Sequence, residues 1–244
     1  MPASSEKQPR VALVTGGAKR VGRAIVERLI AAGYAVGFTY NGSQAEADEL
    51  TRRHANAFAM RADFADPNAA GGVAVWTKST FPRLDLLVNC ASMYVPDDGP
   101  VGASPSLQQK LLNVNTVSPA TLMAELGEVL KASGGAVINF VDLLAERPMP
   151  GYSAYCASKA ALQSLTLSYA RKLAPHVRVN GIAPGVIAWP NDMPQEAREQ
   201  YLKRVPLQRS GTPEEAADLV YYLATAAPYI TGQIIRLDGG RSII

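Results

Sequence analysis

Short, nearly continuous apolar runs alternate along the chain with longer stretches in which apolar residues recur every three or four positions. VALVT (11–15), YAVGFTY (34–40), AFAMR (57–61), LDLLVN (84–89), AVINFV (136–141), VRVNGIA (177–183) and QIIRL (233–237) have the length and composition of buried strands. Between them, 20–32, 44–54, 67–80, 106–131, 153–173 and 213–226 read as helices. Leu162, Leu165, Tyr169 and Leu173 show the helical spacing in the fifth of these. Strands apolar on both faces and separated by helices make a parallel sheet covered on each side. No Pro/Gly/Ser-rich linker or repeat divides the chain. The pattern therefore predicts one α/β domain over 11–244, a doubly wound parallel sheet.

One stretch breaks the alternation. PGVIAWPNDMPQEAREQYLKRVP, from Pro184 to Pro206, holds four prolines and no strand signal. It follows a strand end, where open α/β sheets bind their ligands, so a substrate loop over about 184–210 is expected to act as a lid. The competing reading is a disordered excursion. The first ten residues, MPASSEKQPR, are polar, lack the apolar segment of a secretory signal and are expected to form a flexible arm.

Composition adds exclusions. At 48% hydrophobic and 18% charged, 244 residues suit one soluble globular domain, expected in the cytoplasm. No apolar run approaches a membrane span. A net charge of +3 with scattered basic residues gives no footprint for nucleic acid. Cys90 and Cys156 offer neither a disulfide framework nor metal-ligand spacing, and read as small core residues.

The chemistry starts at VALVTGGAKRVGRAIVERLIAAG, a strand, a glycine turn and a helix. Gly16, Gly17 and Gly22 allow a sharp turn and close approach of backbone to phosphate, while the helix N-terminus offers N–H groups and a positive dipole end. After the first strand of an alternating chain, this marks a dinucleotide site. The second strand ends Tyr40-Asn41-Gly42-Ser43, without the acid that would accept from a ribose 2′-hydroxyl; none comes before Glu46. With Lys19 and Arg20 in the glycine turn, this favours NADPH/NADP+ over NAD, because a carboxylate would repel a 2′-phosphate. Asp63 reads either as an acceptor for the adenine amino group or as a cap of the helix over 67–80, where Asp66 competes. Asn89, Cys90, Ala91 and Ser92 place small residues where the chain passes the cofactor, or simply pack.

Tyr155 and Lys159 lie four residues apart in SAYCASKAALQSL, on one helix face, and Asp142 precedes the tyrosine by thirteen residues. A nearby cation favours the phenolate and so is expected to lower the tyrosine pKa toward values useful in proton transfer. An ordinary exposed Tyr/Lys pair is the alternative.

TGGAKRVG, NCAS, Asn115 within LLNVNTVSPA, YCASK, IAPG (182–185) and LDGG (237–240) occur in the order found in the short-chain dehydrogenase/reductases, which the chain resembles over nearly its whole length after residue 10. That resemblance implies a seven-stranded Rossmann-like sheet, usually in a homotetramer. It implies Tyr155 as acid/base, Lys159 as its tuner and ribose anchor, and Asn115 as holder of a relay water. The implied cofactor contacts comprise Gly16, Lys19, Arg20, Val21, Gly22, Tyr40, Asn41, Ser43, Asp63, Phe64, Asn89, Ala91, Ser92, Tyr155, Lys159, Pro184, Gly185 and Val186.

The chain departs from the family at Asp142, where most members carry a serine that orients a substrate carbonyl. An ionised carboxylate repels a developing alkoxide but suits a substrate with N–H donors or one protonated on nitrogen. An Asp-Tyr-Lys set resembles the pteridine reductase branch, as do TGGAKRVGRAI, YNGS and PGVIAWPNDMP; the chain is also similar to dihydromonapterin reductases. The branch implies a pterin substrate touching Arg20, Ser92, Tyr94, Asp142, Tyr155 and Pro184, with Tyr94 stacked on the ring and Met93 nearby. Two alternatives remain: reduction of another carbonyl or imine with Asp142 merely replacing serine, and a non-catalytic NADPH sensor. A sensor, however, has no use for a proton relay.

Overall fold

The computed structural model describes residues 8–189 and 193–244. Seven parallel strands form one sheet: β1 (Val11–Val14), β2 (Ala35–Tyr40), β3 (Ala57–Arg61), β4 (Leu86–Asn89), β5 (Ala136–Phe140), β6 (Arg178–Pro184) and β7 (Ile234–Leu237). Their order across the sheet is β3-β2-β1-β4-β5-β6-β7. It reverses direction between β1 and β4, leaving a crevice at the carboxyl ends of those strands. The helices are α1 (Arg20–Ala31), α2 (Gln44–Arg53), α3 (Ala69–Thr80), α4 (Pro105–Leu112), α5 (Ser118–Ser133), α6 (Ser153–Leu173), α7 (Gln195–Leu202) and α8 (Pro213–Thr225).

The apolar strands are explained by burial on both faces. Ala12 and Val14 enter one core with Leu86, Val88, Ile138 and Ile182, against α1 and α8. Val11 and Leu13 enter the other with Leu87, Val137 and Val179, against α3, α5 and α6. Successive residues of a strand point oppositely, so both faces are largely apolar, and the polar exceptions Asn89, Asn139 and Asn180 are buried and hydrogen-bonded. A third cluster, including Leu111, Ala154, Tyr155 and Cys156, joins α4 to the first turn of α6.

Two expectations need correction. The helix expected over 106–131 is broken into α4, a π-helical turn at Asn113–Val117, and α5. Pro119 has no N–H, so the Asn115 carbonyl lacks its ordinary partner four residues on, and the Ser118 N–H bonds back to the Asn113 carbonyl. The 184–210 segment is not wholly loop, because α7 lies within it. Pro194 takes the N-cap position, and the following QEAREQYL is rich in helix formers, which the prolines around it obscured. Residues 190–192 of the expected lid, and 1–7 of the expected arm, lie outside the described residues. Arg10 is joined to the sheet: its carbonyl accepts from the Ala35 N–H at 2.9 Å.

Among the described residues no helix is long and apolar enough to cross a membrane. Both cysteines are free, Cys156 buried and Cys90 partly so.

Candidate active site

The carboxyl ends of the strands around the order reversal open into a cleft of about 800 Å³. Its phosphate-side wall is the turn between β1 and α1. Gly16 has φ +69°, and a Cβ there would stand 3.0 Å from the Ala91 Cα. At Gly22 a Cβ would stand 2.1 Å from the Gly16 carbonyl oxygen, so only hydrogen fits. Threonines pin this wall. Thr15 Oγ1 accepts from the Cys90 and Ala91 N–H groups, both at 3.0 Å, and Thr39 Oγ1 accepts from the Gly16 N–H at 3.1 Å. Lys19, the N-cap of α1, gives the helix no side-chain cap, and Lys19, Arg20, Val21 and Gly22 all line the cleft. An uncapped helix N-terminus facing a cleft with two cations is suited to an anionic group. The donors and the tight glycine cradle therefore fit a dinucleotide pyrophosphate.

Arg20 has φ +53°, a strained conformation for a side-chain-bearing residue. Its guanidinium crosses to the 184–210 segment and donates to the Ala188 carbonyl at 2.9 Å. Tyr40, Asn41, Gly42 and Ser43 line the end of the cleft after β2, and Glu46 does not. Tyr40 donates its phenol proton to Gln44 Oε1 at 2.5 Å. Asp63 also lines the cleft, with Phe64 beside it; its Oδ1 accepts from the Ala65 N–H at 3.1 Å. Helix α3 starts at Ala69. Asp66, just before it, accepts from the Asn68 N–H at 2.9 Å through Oδ1 and from the Ala69 N–H at 3.1 Å through its carbonyl, whereas Asp63 accepts from the Ala65 and Asp66 N–H groups.

At the opposite end, Tyr155 donates its phenol proton to Asp142 Oδ2 at 2.6 Å, while Asp142 Oδ1 accepts from the Leu144 N–H at 2.8 Å. The carboxylate thus sits where β5 ends, oriented by the short 3-10 turn Leu143–Ala145 that it caps. Lys159, fully buried, donates to the Phe140 carbonyl at 2.8 Å and stands 5.9 Å from the centre of the Tyr155 ring. Burial, and next the Asp142 carboxylate, push the Tyr155 pKa well above its ordinary 10. This reverses the expectation of a lysine-lowered phenol: desolvation and a negative neighbour at hydrogen-bond distance outweigh the ammonium. In this geometry the tyrosine holds its proton, as a proton donor must.

Ser92, Ala91, Pro184 and Gly185 join Asp142, Tyr155 and Lys159 in the cleft. Four expected residues do not. The Asn89 amide turns into the sheet and donates to Asn139 Oδ1 at 2.8 Å. The Val186 carbonyl accepts from the Gly211 N–H at 3.0 Å, which holds that residue against the start of α8. Asn115 is completely buried, donates to the Met93 carbonyl and Ser158 Oγ, and accepts from Met93 N–H and Ser92 Oγ. Its side-chain amide has no capacity left for a relay water and clips the chain after β4 to α6, whereas its main-chain carbonyl lacks a helical donor because of Pro119. Tyr94 stacks on Tyr152 at 4.8 Å and 11°, and meets Tyr155 edge-on at 4.8 Å. One of its faces is therefore covered by protein.

Residues without a sequence signal also line the cleft, among them Lys110, Val114 and Phe140. Lys110 and Val114 arrive because Asn113 Nδ2 donates to the Ala65 carbonyl at 3.1 Å, drawing α4 and its π turn against the loop after β3. No clustered metal-binding side chains occur among the described residues.

A family model described as enoyl-(acyl carrier protein) reductase matches residues 16–242. Pteridine reductase 1 of Leishmania tarentolae is 34% identical, over 96% of this chain and 96% of that protein. Dihydromonapterin reductase of Citrobacter koseri is 32% identical, over 98% and 99%. The granaticin polyketide synthase putative ketoacyl reductase 2 of Streptomyces violaceoruber is 29% identical, over 99% and 100%. With its glycine turn, Tyr155, Lys159 and parallel seven-stranded sheet, the chain belongs to the short-chain dehydrogenase/reductase family of oxidoreductases.

Proposed function

We propose that the protein reduces a pterin to its tetrahydro form with NADPH, from the dihydro state and, if the cleft admits it, from the oxidised pterin or a dihydrofolate. The observation that carries this reading is the 2.6 Å bond from Tyr155 to Asp142 Oδ2, which sets a carboxylate beside the proton donor. Likeness to pteridine and dihydromonapterin reductases along nearly the whole chain supports it.

The cofactor would lie with its pyrophosphate on the Gly16–Gly22 turn, its 2′-phosphate near Asn41 and Ser43, and its nicotinamide ribose against Lys159. When bound, reduced nicotinamide supplies a hydride. Tyr155 delivers a proton to the substrate nitrogen beside the carbon that accepts the hydride. Lys159, buried within reach of the ring, offsets the charge left on the phenol oxygen. Asp142 orients the phenol and accepts from N–H groups on the substrate, a role that a serine fills for a carbonyl oxygen. Arg20 spans the glycine turn and the 184–210 segment, and so borders both ligands. The pterin ring would meet Tyr94 on the face that Tyr152 leaves uncovered. A homotetramer in the cytoplasm belongs to the same proposal, by family resemblance.

The second reading is reduction of another carbonyl or imine compound, which the ketoacyl reductase relative favours. A panel of dihydropterins and simple ketones, followed by NADPH absorbance, separates the two. Asp142→Ser should cut pterin turnover while NADPH binding survives, and unchanged pterin kinetics in that variant would remove Asp142 from the mechanism. Tyr155→Phe should lose about 10²–10⁴-fold in kcat.

A further inference from the structure

Helix α6 carries both Tyr155 and Lys159, yet it has no cap of its own: its N-cap is Tyr152, whose side chain makes no capping bond. The free N–H groups of its first turn are met instead from a distant segment. Asp97 Oδ2 accepts from the Ser153 N–H at 3.0 Å and the Ser153 hydroxyl at 2.8 Å, and Oδ1 accepts from the Ala154 N–H at 3.4 Å. The Asp97 N–H closes the clamp by donating to the Gly151 carbonyl at 2.8 Å. Three residues before Asp97 on the same loop, Tyr94 stacks on Tyr152 and meets Tyr155 edge-on.

The next residue performs the same task on a different helix. Asp98 accepts from the Ser104 N–H at 2.6 Å and the Ser104 hydroxyl at 2.7 Å, and Ser104 in turn caps α4. Two adjacent carboxylates therefore hold two helices, and only one of these carries the reacting side chains. A carboxylate at a helix N-terminus satisfies orphan N–H groups and opposes the positive dipole end. Held at two N–H groups and a hydroxyl, the first turn of α6 cannot rotate or fray, and Tyr155 is the third residue of that turn.

We propose that Asp97 is a positioning residue for the reaction: a cap supplied from the loop after β4 that fixes the Tyr155 phenol against Asp142. The proposal rests on Tyr155 being the proton donor, but not on the substrate being a pterin. Loss of the clamp lets the first turn of α6 loosen, moving the phenol relative to its acceptor while leaving the glycine turn untouched.

The test compares Asp97→Ala, Asp97→Asn and Asp98→Ala with the parent protein. For Asp97→Ala, kcat with a dihydropterin should fall at least about ten-fold, because misplacing a reacting group by an ångström is that costly. NADPH affinity, read by fluorescence titration, should stay within about two-fold, since no cap contact reaches the cofactor turn. Asp97→Asn, which keeps an acceptor oxygen, should recover part of the loss. Asp98→Ala should lower thermal stability comparably and leave kcat unchanged. Equal loss of kcat in Asp98→Ala, or parent-like kcat in Asp97→Ala, overturns the proposal. If Asp97→Ala does not fold, Asp97→Asn decides, and parent-like kcat there overturns it. If the parent protein turns over no pterin, the pterin reading fails alone. The Asp97 test then moves to NMR of Cζ-labelled tyrosine, with Tyr155 assigned from Tyr155→Phe. A Tyr155 resonance and titration unchanged in Asp97→Ala overturn the proposal, and a displaced resonance supports it.

Discussion

Replacing Lys159 with methionine should make the protein more stable and nearly inactive, and the size of the effect follows from where the ammonium sits. Burial, ahead of any other influence, lowers its pKa from 10.5 to about 8. At about 1.4 kcal/mol per pH unit, that interval corresponds to about 3 kcal/mol lost in holding the charge inside the fold. Below pH 8 the lysine is charged in the folded and unfolded chains alike, so this loss is present in full. Between pH 8 and 10.5 the unfolded chain still binds a proton that the folded chain has released. Stability from this residue therefore rises with pH across that window. Methionine keeps a similar stem without the charge, but it leaves the Phe140 carbonyl, now bonded at 2.8 Å, without its donor. That orphaned acceptor costs about 1–2 kcal/mol. The net gain at pH 7 is about 1–2 kcal/mol, or roughly 3–6 °C in Tm for a chain of this length. Thermal unfolding of both proteins from pH 7 to 10 measures it. The gap should shrink steadily above pH 8 and reverse in sign by about pH 10, because the neutral amine of the parent keeps its bond to Phe140 at no electrostatic cost. A methionine variant less stable at pH 7, or a gap indifferent to pH, would refute the reasoning.

Two further predictions address the cofactor end. Gly22→Ala puts a methyl group 2.1 Å from the Gly16 carbonyl oxygen, a backbone atom that cannot step aside, so NADPH binding should be lost. A fluorescence titration showing parent affinity would mean the turn is not the pyrophosphate cradle. Asn41→Asp sets a carboxylate beside the site assigned to the 2′-phosphate, and the KM for NADPH should rise at least about ten-fold while that for NADH does not. An unchanged preference between the two cofactors would place the 2′-phosphate elsewhere.

The alternation of apolar strands with helices was sufficient for the fold, because a parallel sheet buried on both faces keeps its central strands largely apolar, with Asn89, Asn139 and Asn180 as buried, hydrogen-bonded exceptions. Val11 to Val14 show this, their side chains alternating between two cores. The glycine turn was equally legible, since a strand, closely spaced glycines and a helix admit few other geometries. The break in the helix over 106–131 was less so: it follows from Pro119 removing one N–H, a local effect hidden in a run of good helical spacing.

Within the site, the sequence by itself determined the actors: Tyr155 and Lys159 one turn apart, Asp142 in place of a serine, and no acid at the end of β2. Tertiary structure decided their states and their support. Helical spacing places an ammonium near a phenol but says nothing about burial, and burial with a carboxylate at 2.6 Å sends the Tyr155 pKa upward rather than downward. Family resemblance implied a relay at Asn115, and the fold adds that its side-chain amide, with four satisfied bonds, is a clip. Asp97, fifty-eight residues before Tyr155, reads as one charge in a polar loop. Only the packing of that loop on the start of α6 makes it a cap, because hydrogen bonds between distant segments depend on where the fold brings them, which periodicity along the chain does not encode.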